Sequence, residues 1–211
     1  MKYLAIDSAQ AQMGIVVKNG ERVYEKRESN DRRASEVLLS DIDELLDKAG
    51  LTLNDMDFFA VITGPGSFTG LRIGVNTVKS FAYVLDKKIV AVTSLEKLAY
   101  NSKKERVCVV IKAYADYCIM AEFDNDKKEL FAPECLTYEE MNNILQSKKM
   151  EIIADDESKS RLKGTKKDEW KKSLIMAIES KFAKNEFITY KELQPYYLIL
   201  SQAEREAENK K

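Results

Sequence analysis

The residues best placed to do chemistry lie in one loop, Gly64-Pro65-Gly66-Ser67-Phe68-Thr69-Gly70, which follows the apolar run Asp57 to Thr63 and leads into an amphipathic stretch ending at Leu85. Three glycines and a proline in seven residues force a tight backbone and let several N–H groups converge beside the positive end of a helix. Such a loop suits either an anion or a corner where another backbone or subunit approaches closely. Two familiar phosphate fingerprints fail here. A Walker loop needs Gly, four residues and then Gly-Lys-Ser/Thr, yet Gly70 is followed by Leu71 and Arg72. A dinucleotide fingerprint has two residues before its last glycine and forms the first strand-to-helix turn, whereas three residues separate Gly66 from Gly70, well inside the chain.

Histidine is absent from all 211 residues, which removes His-based triads and His zinc sites. Chemistry near neutral pH would then fall to a shifted Glu, Lys or Cys, or to a carboxylate-bound magnesium, and no close carboxylate pair in a glycine-rich loop signals one. No metal site is expected. Cys108, Cys118 and Cys135 form no C-x-x-C pair and suit reduced thiols packed as small apolar residues. A net charge of −1 argues against a whole-surface nucleic-acid binder, and the cluster Lys163, Lys166, Lys167, Lys171 and Lys172 reads as a solvated helix start. With 45% hydrophobic residues the chain can bury one large core or two modest ones. No run of eighteen apolar residues occurs and Asp7 interrupts the opening apolar stretch, so a cytoplasmic protein without membrane span or secretory signal is expected.

The elements that must position the loop follow from pattern. Strands are expected at Lys2–Asp7, Gly14–Lys18 and Arg22–Arg27, the last two joined by a two-residue turn at Asn19-Gly20. A helix over Ala34–Ala49 stops at Gly50, a buried strand covers Asp57–Thr63, a helix runs from about Leu71 to Leu85, and a strand covers Lys88–Val92. The second half repeats this less completely: strands Arg106–Lys112, Tyr117–Phe123 and Leu130–Thr137, helices Tyr138–Lys148 and Asp168–Ala183, and strand Glu151–Ala154. The expected division is a lobe of residues 1–101 and a smaller, more diverged lobe of 102–211. Its last residues, 201–211, form a charged tail unable to bury enough apolar area to order itself alone.

Both long helices of the first lobe carry apolar residues on two sides. One has Leu71, Val75, Val78, Ala82 and Leu85 on one stripe and Gly74, Phe81 and Val84 on another. The other has Ala34, Val37, Leu38 and Leu45 facing one way, and Leu39, Ile42, Leu46 and Ala49 facing another. A surface helix of a monomer needs only one apolar stripe, so the leftover faces are expected either to meet a partner or to be covered by the chain itself.

The run Gly64 to Gly70, Leu71, Arg72, Ile73, Gly74 reads GPGSFTG-x-R-x-G and resembles the signature of the bacterial TsaB (YeaZ) family. Leu4-Ala5-Ile6-Asp7-Ser8, Asn19-Gly20, Ala34-Ser35-Glu36 and Val92-Thr93-Ser94-Leu95 agree in order. The likeness is strong over residues 1–100 and fades to Pro195-x-Tyr197-Leu198. It implies an α/β, two-lobed actin-like (ASKHA, ribonuclease H-like) fold with mixed sheets. It also implies a non-catalytic subunit of the machinery that puts threonylcarbamoyl on N6 of adenosine 37 in tRNAs reading ANN codons. The implied partners are a TsaD-type catalytic subunit, a TsaE-type ATPase and a second copy, with only indirect or weak tRNA contact. ATP and metal would belong to the partners, and no cofactor to this chain. The contact surface would be the two helices through Ala34, Val37, Leu38, Leu45, Leu71, Gly74, Val75, Val78 and Ala82. Nucleotide-binding members of the superfamily carry Asp-x-Gly in the first turn, where Asp7-Ser8-Ala9 implies a weakened or lost phosphate site. Ala34 stands where relatives often carry histidine, Lys112-Ala113-Tyr114 where they show Asp-x-Arg, and Ile199 where an arginine follows Tyr-Leu. The alternative is a magnesium-dependent ATPase or phosphotransferase using Asp7, or a glycoprotease-like peptidase.

Overall fold

The computed structural model of the chain describes residues 1–29, 34–147, 150–162, 164–166 and 168–199. The expected tail at 201–211 and the cluster members Lys163 and Lys167 lie outside these residues. Among the described residues two compact units are present, Met1–Thr93 with Ile178–Tyr197, and Ser94–Ala177 with Leu198 and Ile199. The expected division after residue 101 therefore differs from the observed one at Thr93, and a late segment returns to the first unit.

The first unit is built on a five-stranded sheet in the order β3-β2-β1-β4-β5, formed by β1 (Lys2–Asp7), β2 (Gln12–Asn19), β3 (Arg22–Ser29), β4 (Phe58–Ile62) and β5 (Ile89–Val92). The first three make an antiparallel meander, and β4 and β5 join in parallel beside β1. The turn between β2 and β3 is one residue later than expected, with Asn19 paired to Arg22 and Gly20 at φ 60°. Asn19 uses its side-chain amide elsewhere, donating to the Ala49 carbonyl at 3.2 Å.

Helices α1 (Ala34–Ala49) and α2 (Phe68–Leu85) cover one face of this sheet. Gly50, at φ 64°, ends α1, with its N–H on Asp47 O and that of Leu51 on Leu46 O, so left-handed backbone satisfies the last carbonyls. The core there joins Leu4, Ile6, Ile15 and Val17 with Leu38, Ile42, Leu45 and Leu46 of α1 and Val75, Val78 and Ala82 of α2. Alternate strand residues point the other way, as a period of two demands. On that face Tyr3 stacks on Phe58 (5.1 Å), which stacks on Phe182 (5.1 Å) and meets Phe187 edge-on.

The second unit repeats the plan with one strand fewer, in the order β8-β7-β6-β9. Its strands are β6 (Arg106–Lys112), β7 (Tyr117–Asp124), β8 (Glu134–Thr137) and β9 (Glu151–Ala154), and its helices are α3 (Ser94–Ala99), α4 (Tyr138–Ser147), α5 (Asp156–Lys159) and the start of α6 (Trp170–Ala183). As with β2-β1-β4, the strand β6 pairs antiparallel with β7 and parallel with β9. Val107, Val109 and Ile111 face α3, whereas Cys108 and Val110 face α4. The expected third strand shortens to Glu134–Thr137, leaving Leu130 and Phe131 exposed. Two short helices, α3 and α5, had no periodicity to announce them. The first is tied down by buried Lys97, whose ammonium lies 3.3 Å from Asp168. That carboxylate also accepts from Asn101 and Ser173, the added hydrogen bonds a buried pair requires.

Cys108 and Cys118 are buried as expected, but Cys135 is exposed on edge strand β8. Burial first, then neighbouring Cys135 and the carboxylates of Asp155 and Asp116, push the Cys118 thiol up to about 12.

Candidate functional site: the glycine loop and the helix it opens

Gly64 to Gly70 connects β4 to α2, and three glycines of the motif are used for close approach within the protein. A Cβ on Gly66 would stand 2.1 Å from the Ala9 carbonyl oxygen, and one on Gly64, which also sits at φ 117°, would stand 2.7 Å from that of Tyr196. One on Gly74, a turn into α2, would stand 2.3 Å from Ser8 Oγ. Pro65 is buried beside Gly64, through a cis peptide. Of the two sequence readings, packing corner and anion loop, this geometry supports the first.

The loop's donors follow the same pattern. Ser67 N–H donates to Ala9 O (2.8 Å), Gly70 N–H to Ser67 Oγ (3.2 Å) and Leu71 N–H to Ser67 O (2.8 Å). Ser67 is thus the N-cap, and its side chain satisfies a donor that the helix leaves open. For this reason α2 begins at Phe68, three residues before the apolar periodicity became visible at Leu71. Thr69 is exposed on this first turn.

Asp7 and Ser8 close β1 against this corner, and both are buried. Asp7 Oδ1 accepts from Ala9 N–H at 3.2 Å, and Ser8 Oγ donates to Gly70 O at 2.7 Å. The turn where the resemblance implied a weakened or lost phosphate site is packed against α2.

Phe68 and Arg72 lie one turn apart on α2, so they share a face. Phe68 stacks on Tyr197, with ring centroids 4.6 Å apart and planes 9° from parallel. Arg72 Nε donates to the Tyr197 hydroxyl at 3.1 Å, and its guanidinium carbon sits 5.9 Å from the ring centre. The arginine of the motif thus pairs with the tyrosine of the late Pro195-x-Tyr197-Leu198 segment. Tyr197 carried no chemical signal of its own in the sequence; only its place in Pro195-x-Tyr197-Leu198 marked it.

The nine residues expected to form a partner surface need correction. Leu38, Leu45, Leu71, Gly74, Val75, Val78 and Ala82 are buried in the chain's own core, and Val37 packs partly against it. Ala34 opens α1. The two apolar sides read on α1 are one broad stripe, because Leu38, Ile42, Leu45, Leu46 and Ala49 all face the sheet. What the helices leave outside is different: Leu39 (55% exposed) on α1, and Tyr83 (63%) and Val84 (75%) on α2.

The two helices carry opposite charge. Helix α1 holds Glu36, Asp41, Asp43, Glu44 and Asp47 against Lys48 alone, whereas α2 holds Arg72 and Lys79 and no acid. Lys26 of β3 reaches Asp41 (2.6 Å) and Glu44 (2.8 Å), and Lys48 reaches Glu44 (2.5 Å). These two ammonium groups hold the Glu44 carboxyl down to about 2. Among the described residues no group of three or more Cys, Asp or Glu is placed to hold a metal, and no helix is long and apolar enough to cross a membrane.

The family model described as "TsaD: tRNA N6-adenosine threonylcarbamoyltransferase" matches residues 25–186. The chain is 28% identical over 138 residues to the tRNA threonylcarbamoyladenosine biosynthesis protein TsaB of Escherichia coli K12, covering 64% of this chain and 60% of that protein. It is 35% identical over 104 residues to the TsaB of Bacillus subtilis 168, covering 49% and 45%. The chain thus spans roughly half the length of these curated relatives. In fold it is similar to YeaZ from Pseudomonas aeruginosa, with a TM-score of 0.77 at 22% identity over 93% of this chain and 99% of that one. By sheet order, motif and family match, the chain belongs to the tRNA N6-adenosine threonylcarbamoyltransferase family, on its TsaB/YeaZ side.

Proposed function

We propose that this chain is an accessory subunit in the formation of N6-threonylcarbamoyladenosine in tRNA, holding a TsaD-type transferase subunit through the outer faces of α1 and α2. In this reading a TsaE-type ATPase joins the complex, a second copy can take the transferase's place, and contact with tRNA is indirect. The observation that carries it is the pair of helices laid on one sheet face, one acidic and one basic, with Leu39, Tyr83 and Val84 left exposed on them. A related subunit turned about a two-fold axis would set its acidic helix against the basic one here, and the reverse. The family match covers both helices, so a subunit of that family has the corresponding elements to present.

The reading as a phosphotransferase at Asp7 gains no support from the site. Ser8 is committed to the Gly70 carbonyl, and three loop donors are spent within the chain. A titration of the purified chain with a TsaD-type subunit from the same organism is the decisive measurement. Two variants on the outer side of α2 accompany it: Val84→Glu, and Ser80→Glu at the exposed position one turn earlier. Each puts an acid where an acidic helix is to dock. Both are expected to weaken binding at least about tenfold while leaving the circular dichroism spectrum unchanged, since one such step corresponds to about 1.4 kcal/mol. Undiminished binding by both variants would refute docking through α2. Micromolar ATP binding that Asp7→Ala abolishes would restore the enzyme reading.

A further inference from the structure

The first unit contains a segment with no regular secondary structure, Ile188 to Tyr197, that runs alongside α2 in the opposite direction. Ile188 begins it with two backbone hydrogen bonds to Ile89, each 2.9 Å, closing the outer edge of β5. Tyr190 then meets Tyr83 edge-on at 4.9 Å. Leu193 is buried in the core of the unit, and its carbonyl accepts from Lys79 Nζ at 3.1 Å. Tyr196 N–H donates to Thr63 O at 2.7 Å, and Tyr197 is seated by Phe68 and Arg72. The helix residues it touches, 68, 72, 79 and 83, are spaced by four, seven and four and so form one stripe along α2.

We infer that this segment is a fitted half of the docking face, and that Phe68 and Arg72 of the motif are positioning residues that hold it there. The inference rests on the reading that α2 docks a subunit. The strap lays Tyr190 beside Tyr83 near the end of α2, and Tyr197, 40% exposed, beside Phe68 and Arg72 near its start. It also carries exposed Lys191, whose ammonium sits 5.9 Å from the ring centre of Tyr190, the residue that meets the α2 stripe at Tyr83; Arg72 and Lys79 lie further along that stripe. An aromatic row bordered by cations fits an acidic helix with an apolar residue at its centre. Helix α1 is of that kind, with Leu39 beside Glu36, Asp43 and Asp47, and the occupant assigned is the corresponding helix of a TsaD-type subunit. The motif's specific residues then have a common purpose: the glycines let α2 start against Ala9, Ser8 and Tyr196, and Phe68 and Arg72 fasten the strap that widens its outer surface.

Three variants test this without touching the core. Tyr197→Ala removes the stack and the Arg72 bond and is expected to raise amide hydrogen exchange across residues 188–197 and to weaken binding of a purified TsaD-type subunit about tenfold. Lys191→Glu leaves the strap seated, reverses one charge on its surface, and is expected to weaken binding at least threefold, more so at low salt. Tyr197→Phe keeps the stack on Phe68 but removes the acceptor of Arg72, and is expected to raise exchange across residues 188–197 by less than Tyr197→Ala but measurably above wild type. If Val84→Glu weakens binding while Lys191→Glu and Tyr197→Ala both bind within twofold of wild type, docking on α2 stands and the strap's part in it is refuted. If Val84→Glu, Lys191→Glu and Tyr197→Ala all bind like wild type, or the wild-type chain does not bind, the two fall together. Should Tyr197→Ala fail to fold, Lys191→Glu decides.

Discussion

At the scale of residues, the motif is legible as physical necessity once its neighbours are known. Gly66 faces a carbonyl oxygen of the backbone, which cannot rotate away as a side chain could. Gly66→Ala is therefore expected to cost about 1–3 kcal/mol, the range for overpacking a tight interior, measured by urea denaturation. Gly74 faces a side-chain oxygen instead, Ser8 Oγ. Gly74→Ala alone is expected to cost a similar amount, and Ser8→Ala in the same chain to recover part of it, because the offending atom is gone. Additive losses in that double-mutant cycle would show that the two positions do not press on each other. The sequence identified the loop that holds Gly66 as a place of close approach but left open whether the approaching group was an anion or another backbone or subunit, and it placed Gly74 on a partner face. Backbone freedom is a local property, and the neighbour is not.

At the scale of elements, the hydrophobic period fixed α1 and α2 but left open what covers them. Leu45 is in the core and Val84 is outside it, so Leu45→Ala is expected to cost about 2–5 kcal/mol through the cavity it leaves. Val84→Ser, by contrast, is expected to change stability by no more than about 0.5 kcal/mol, as at an ordinary surface position. Comparable losses at both would mean that α2 is packed on its outer side. Lys26 ties β3 to α1 through Glu44, Lys48 adds a pair within α1, and together they give this contact a pH signature. In the folded chain Glu44 stays ionised down to about 2, whereas its ordinary value is 4.5. Its contribution is thus fully present above pH 4.5 and is lost as pH falls towards 2. The stability gap between wild type and Glu44→Gln is expected to narrow across that window, and a gap that stays constant would show that the ion pairs are solvent-screened to nothing.

At the scale of the whole molecule, two units share one strand plan, and the first adds a strand, a second long helix and the returning strap. The opposite charges of α1 and α2 make a long-range prediction that no single residue makes. Association through these faces is expected to weaken as salt rises from about 0.05 to 0.5 M, where the Debye length drops below about 5 Å, as followed by sedimentation equilibrium. Salt-independent association would point to an apolar contact elsewhere on the surface.

The sequence alone determined the order and type of the long elements, because periods of two and 3.6 are written in consecutive residues. It also excluded histidine chemistry and marked one loop as exceptional. Only the tertiary structure decided what that loop does. The Arg72–Tyr197 bond spans 125 positions, and no spacing rule links residues so far apart. Periodicity tells that a face is apolar without telling which surface covers it, and Val78 and Leu45, implied by the resemblance as partner contacts, are buried in the core. The strap escaped notice for the same reason: it has no regular structure of its own, and its place comes from contacts that form only when α2 is already on the sheet.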